Sequence, residues 1–156
     1  HLRPIVPVGY ARPRNAQHKR KAVNKYTAEG RELIHKNLQI DTGTMLWVMR
    51  NPVRGRTIEY ADNRISLYAA QYGKCAVTGK VMASHDIHCH HKVPVSKGGT
   101  DEYANLILIS KDVHTIIHAS LDPTIERLLQ FLNLEPKQLT KLNKLRILAE
   151  MPPIIL

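Results

Sequence analysis

His90, His91, Asn105, His114 and His118 are the residues of this chain whose types and spacing could do chemistry. Two adjacent histidines close a strand-like run from Asp86 to His91, and an asparagine follows a Gly98-Gly99 loop. His114 and His118 stand four apart, so a helix puts them on one face. In-line cleavage of a phosphodiester needs a nucleophilic water, a base for its proton, and a cation on the phosphate and the leaving oxygen. Imidazoles can meet both needs. Three neutral rings from a strand end and a helix face would bind a divalent ion and leave positions open for phosphate and water. A fourth, with an ordinary pKa of ~6.5, can act as base near neutral pH. The carbonyl of an asparagine side chain can accept a hydrogen bond from the ring nitrogen that does not face the water, and so orient the base. Neighbours on a regular strand point to opposite faces, so only one of His90 and His91 should reach the metal. Alternation alone does not say which.

The charge favours the same substrate class. The 156 residues carry a formal +10, and residues 1–36 hold nine Lys or Arg against two acidic groups, while residues 61–156 hold eleven against nine. A basic arm on a nearly neutral domain suits a polyanion, because neutralised phosphates release counterions. The candidate nucleic-acid contacts are Lys19, Arg20 and Lys21 in the arm, Arg64 on the polar face of a helix, and Lys92 and Lys97 beside the histidines. No stretch approaches ~18 apolar residues and no secretory signal is visible, so no membrane partner is expected. Two cysteines can build neither a disulfide framework nor a four-cysteine zinc site. The count fits a reducing cytoplasm, and Cys89 reads as a small buried side chain, the alternative being a second metal site that Cys75 and Cys89 share with His85 and His88. The chain opens on His1, and its first segment reads as the continuation of a longer protein.

The elements that must position these residues follow from breakers and periodicity. With 43% hydrophobic residues the chain can bury one modest core or two small ones. Pro4, Pro7 and Pro13 make residues 1–25 an extended basic arm. Thr27 caps a helix to about Leu38, and the apolar run Leu46 to Met49 stops at Asn51-Pro52, so residues 26–60 form a small helical segment of DNA-binding type. Residues 61–121 are the chemical core. There Asp62 caps a helix through Ile65, Tyr68, Ala69 and Tyr72 that ends at Gly73, and Cys75 to His91 makes two extended pieces around Thr78-Gly79-Lys80. Leu106 to Ile109 is a short apolar strand, and Ser110 caps the helix bearing His114 and His118. Asp122-Pro123 and Glu135-Pro136 open two packing helices in residues 122–156, which makes the whole α+β. Tyr60-Ala61-Asp62-Asn63 has the look of a polymerase signature but lacks its second aspartate, and a helix start accounts for it.

Cys75-Ala76-Val77-Thr78-Gly79, Cys89-His90-His91-Lys92-Val93-Pro94, Lys97-Gly98-Gly99-Thr100-Asp101, Asn105-Leu106, and His114 through His118-Ala119 together resemble an HNH endonuclease over roughly residues 73–120. The resemblance implies a ββα-metal (His-Me finger) core, a two-strand ribbon against one helix, with a single divalent ion, Mg2+, Mn2+ or Zn2+. Position by position it implies His91 as general base, His90 as first metal ligand, His114 and His118 as the remaining ligands, and Asn105 as the residue that positions the base. The paired Cys-x-x-Cys motifs of many relatives are absent, so a structural zinc is not expected.

The flanks extend the resemblance. Tyr26 to Arg31, Ile58 to Ser66 and Lys141 to Arg146 resemble the C-terminal portion of bacterial group II intron proteins, which combine reverse transcriptase, maturase, DNA-binding and endonuclease parts. The implied task is nicking one strand of double-stranded target DNA so that its 3′ end primes reverse transcription. The implied partners are intron RNA and the polymerase and maturase domains of the same longer protein, in the cytoplasm at the nucleoid. Two other readings stand beside it: a nucleic-acid-binding module closed around a structural zinc, and a free-standing phage or restriction-type nuclease of the same kind.

Overall fold

The computed structural model describes residues 27–30, 33 and 40–155. The chain divides into two units, residues 1–38 and 39–156. In the first, the Thr27 hydroxyl accepts the Gly30 N–H at 3.0 Å and opens a turn of helix. The arm of residues 1–25, with Lys19, Arg20 and Lys21, lies outside the described residues, as does most of the helix expected to reach Leu38.

The second unit begins with helix α1, Thr42–Arg50. The Asp41 carboxylate caps it, accepting the N–H groups of Gly43 at 3.0 Å and Thr44 at 3.2 Å. The Leu46 to Met49 run is thus helical, with Val48 turned into the core. Helix α2, Ile58–Ala70, starts a turn earlier than the sequence predicts. Its cap is Thr57, whose hydroxyl accepts the Tyr60 N–H at 3.0 Å, so Asp62 and the polymerase-like tetrapeptide are helix interior. Tyr72 and Gly73 both turn left-handed, at φ 54° and 65°, and end it.

Strands β1, Ile87–His91, and β2, Leu106–Ser110, pair antiparallel with Ile87 opposite Ser110 and His91 opposite Leu106. The outer edge of β2 is covered by a side chain acting as a strand would. The Gln71 amide accepts the Leu108 N–H at 3.0 Å and donates to the Leu108 carbonyl at 2.8 Å. Of the two extended pieces expected from Cys75 to His91, the second contains β1, and around the Thr78-Gly79-Lys80 turn the chain forms only a single bridge, Lys74 to Val81.

Helix α3, Lys111–His118, follows β2 directly. Ser110 stands at its N-cap position, but its hydroxyl makes no cap bond. The Lys111 N–H goes instead to Asp86 at 2.9 Å, which ties the start of α3 to the start of β1. Helices α4, Asp122–Leu132, and α5, Pro136–Leu148, each carry a proline in the first turn, where its missing N–H costs nothing.

One apolar cluster joins these elements: Leu106, Leu108 and Ile109 from β2, Val113, Ile116 and Ile117 from α3, Leu128 and Leu132 from α4, and Leu142 and Leu145 from α5. Tyr60, Leu67 and Tyr68 extend it from α2. The fold is α+β, a two-stranded antiparallel ribbon among helices. Among the described residues no helix is long and apolar enough to cross a membrane.

Candidate metal centre and catalytic site

The ribbon lies between α3 and α2, and the alternation of β1 divides its histidines between them. His90 sends its ring to α3, where its centroid is 5.3 Å from both His114 and His118. Those two lie one helical turn apart with centroids at 5.0 Å. One nitrogen from each of the three rings lies within 4.8 Å of the other two. His88, two residues before His90 and on the same face, stacks on His114 at 4.9 Å and 25°.

The cluster fits a divalent cation on two observations. His90 is 3% exposed and its Nε2 has no hydrogen-bond partner. Such an orphaned group costs roughly 1–3 kcal/mol unless something engages it. Secondly, burial, reinforced by the facing imidazoles, pushes the His90 pKa down to about 3 and that of His114 to about 4. His118 is lowered too, by burial and then by the Arg146 charge. Near pH 7 the three rings are neutral with lone pairs available, as ligation requires. No fourth His, Cys, Asp or Glu joins the group among the described residues.

His91 faces the other way. Its ring stacks on Tyr60 of α2, centroids 5.4 Å apart and planes 19° from parallel, and its Nε2 lies 2.7 Å from Oδ1 of Asp101. Asp101 is held below its usual carboxylate range by the Thr57 hydroxyl first and by His91 second, so the group facing the ring is a carboxylate.

Asn105 does not touch the His91 ring. Its Oδ1 accepts the Val93 N–H at 2.9 Å, and its Nδ2 donates to the carbonyls of Val93 at 3.1 Å and Thr100 at 2.8 Å. The loop between the strands folds back so that the Asn105 side chain, just before β2, falls beside Val93, and Asp101 lies beside the His91 ring. Gly99 permits this fold, because a Cβ there would run into the Val93 carbonyl and sit 2.9 Å from Asn105 Nδ2.

Arg64 is corrected from a phosphate contact to an internal brace. It is buried, and its guanidinium donates to the carbonyls of Asn51 at 2.9 Å and Val48 at 3.4 Å while lying over the Trp47 ring. The packing of α1 against α2 brings the end of α1 over that residue. Lys92 donates to the Ala104 carbonyl at 2.7 Å, and Lys97 pairs with Glu150 at 2.6 Å. The second pair is exposed on both sides and contributes little to stability.

Cys75, Cys89, His85 and His88 do not converge. Cys75 is in the core accepting the Ser110 N–H at 3.4 Å, His85 is exposed, and burial pushes the Cys89 thiol up to about 11, which makes it a poor ligand.

Two contributors were silent in the sequence. Arg56, in no motif, lines a cavity of about 200 Å³ together with His90, His91, His114 and His118. Arg146, on a helix read as packing, is 1% exposed and donates to the carbonyls of Ile116, Ile117 and Ala119 at the end of α3. A run of carbonyls at a helix end attracts a cation, but nothing in the spacing couples a residue on α5 to α3.

Residues 73–120 match a family model described as HNH endonuclease. The match takes in both strands, the loop between them and α3. No curated protein and no solved structure matches the chain. The family match supports a nuclease that uses a divalent metal, and the histidine cluster is where this chain could hold one.

Proposed function

We propose that this protein is a metal-dependent DNA endonuclease that nicks one strand of a duplex. The observation that carries the reading is the division of labour across β1: His90 joins His114 and His118 in a three-histidine ligand set, while His91, outside that set and paired with Asp101, lines the same cavity. A divalent ion held by those three residues would polarise the scissile phosphate and steady the leaving oxygen. His91 takes a proton from water, the water oxygen forms the new P–O bond, and the bond to the leaving oxygen breaks with its electron pair. Arg56, in the same cavity, neutralises a phosphate oxygen, and Lys92 and Lys97 on the loop hold flanking phosphates. Asn105 acts one step back, by keeping the loop folded on Val93.

The biological setting we propose is group II intron mobility, where a nick supplies the 3′ end for reverse transcription. The support is the likeness of the flanking sequences and the basic arm of residues 1–25, a suitable partner for intron RNA. Polymerase and maturase domains of a longer chain would be its neighbours, in the cytoplasm at the nucleoid.

The test is conversion of supercoiled plasmid in Mg2+ or Mn2+. Open circles that form before any linear product, and that chelator abolishes, are expected. Binding without conversion would leave a nucleic-acid-binding module, and linear product without prior circles would remove the nicking reading.

A further inference from the structure

The His91 ring is held by parts of the chain far apart in sequence. Asp101 Oδ1 lies 2.7 Å from its Nε2. The other oxygen of that carboxylate accepts the Thr57 hydroxyl at 2.5 Å, and Asn63 donates to the Asp101 backbone carbonyl at 2.8 Å. Tyr60, between those two on α2, lies flat against the ring and anchors its own hydroxyl on the Cys89 carbonyl at 2.8 Å. The carboxylate therefore fixes the ring at a point, and Tyr60 fixes its plane. His91 is buried, so water competes little for that nitrogen.

We propose that Asp101 is the positioning residue of His91: its carboxylate holds the ring in the Nε2–H tautomer, and the start of α2, through Thr57 and Asn63, holds Asp101. The chemistry leaves little choice. A neutral imidazole has one donor and one acceptor nitrogen, whereas an ionised carboxylate only accepts. The proton must then sit on Nε2, which leaves the Nδ1 lone pair to receive a proton from water. When it does, the imidazolium remains beside a fixed negative charge. Thr57, Tyr60 and Asn63 all precede residue 73, so α2 becomes a working part of the site instead of a neighbouring support.

The catalytic role of Asp101 rests on the nuclease reading, while the pairing does not, and the experiment separates them. The metal-free full chain is examined by long-range 1H–15N NMR of the His91 ring near pH 7.5, and nicking of supercoiled plasmid in Mn2+ is measured for the wild type, Asp101→Asn and Thr57→Val. The wild-type ring is expected to carry its proton on Nε2. Asp101→Asn, whose amide can donate to the ring and so favour the wrong tautomer, is expected to lose kcat by ~10²–10⁴ with KM and Mn2+ affinity unchanged. Thr57→Val keeps His91 and Asp101 but removes both the hydroxyl's bond to Asp101 and its cap on the Tyr60 N–H, and is expected to lose about 3–10-fold. A wild-type ring protonated on Nδ1 overturns the pairing. A folded Asp101→Asn that nicks at the wild-type rate overturns the role. If Asp101→Asn fails to fold, Thr57→Val decides in its place, and wild-type kinetics there would count against the proposal. If the wild type itself nicks nothing, the nuclease reading falls and the ring tautomer alone decides the pairing.

Discussion

Arg146 donates to the carbonyl of Ala119 at 3.1 Å, which sets a full positive charge at the end of the helix whose last residue is His118. The same guanidinium reaches the carbonyls of Ile116 and Ile117, and its Nε donates to Pro152 at 2.8 Å. The last carbonyls of a helix have no partner within it, and a buried cation satisfies several at once. Replacement of Arg146 by Met keeps the stem and removes the donors. It is expected to cost about 2–4 kcal/mol in urea denaturation, since several buried carbonyls lose their partner. It should also weaken metal binding, because the turn holding His118 would fray. An unchanged denaturation midpoint would mean that water replaces the guanidinium without penalty.

The two sides of β1 predict two phenotypes. His118→Ala removes a ligand and should lower Mn2+ or Zn2+ affinity by more than ~10²-fold in calorimetric titration, beyond the 10–100-fold typical of residues that only support a ligand. His91→Ala should keep metal affinity and DNA affinity near wild type and cut the nicking rate by ~10²–10⁴. Equal metal occupancy in His118→Ala, or wild-type nicking in His91→Ala, would reverse the assignment.

How far the sequence reached can be seen in His90 and His91. Period-two alternation on a short strand already separated them, and the i, i+4 spacing of His114 and His118 already placed a pair on one helix face, because both rules are local. The separate strands, α3, α4 and α5 were legible for the same reason, whereas the pairing of the strands into a ribbon was implied only by the resemblance. Asn105 and Arg64 were misplaced because their roles depend on tertiary position. The fold-back of the loop takes the Asn105 side chain to Val93, and the packing of α1 on α2 buries the Arg64 guanidinium. Arg56 and Arg146 stand 35 and 28 residues from His91 and His118 and carry no spacing that could announce them, while Asp101 stood in the Lys97 to Asp101 motif with nothing there to pair it with His91.

Arg56 tests the phosphate reading. Its guanidinium lies 5.3 Å from the Tyr60 ring centroid, so the aromatic face that supports His91 also steadies this cation. Arg56→Ala should lower kcat/KM by about tenfold and reduce the slope of log affinity against log salt by about 1, as loss of one phosphate contact does. A salt slope identical to wild type would put Arg56 off the DNA.

Acidification should destabilise the metal-free protein. His88, His90, His114 and His118 all have folded pKa values below the ordinary 6.5, chiefly through burial, with His114 at about 4 and His90 at about 3. Between those limits the unfolded chain binds more protons than the folded one, so stability rises with pH. It is fully present above about 6.5 and is lost as pH falls toward 4. Asp101 acts in the same direction but only below its unfolded value of 3.8, outside this window. Urea midpoints in chelator at pH 7.5, 6 and 4.5 should fall in that order, and His114→Gln should flatten the trend. A midpoint independent of pH would mean that the rings are solvated and not packed.

Gly98 and Gly99 make opposite demands, and the difference is measurable. Gly98 has φ 83°, and a Cβ there meets nothing within 4 Å, so its requirement is conformational. Gly99 has no such strain, but a Cβ would collide with the Val93 backbone that Asn105 grips. Gly98→Asn, which tolerates the left-handed region, should therefore be nearly neutral. Gly99→Ala cannot be relieved by a rotamer change, since the obstacle is main chain. It should cost about 1–3 kcal/mol, as overpacking does. The displaced loop carries Asp101, so nicking should fall further than stability alone explains. If Gly98→Asn proved the more damaging of the two, the close approach of the loop to Val93 would be refuted, and with it the part given to Asn105.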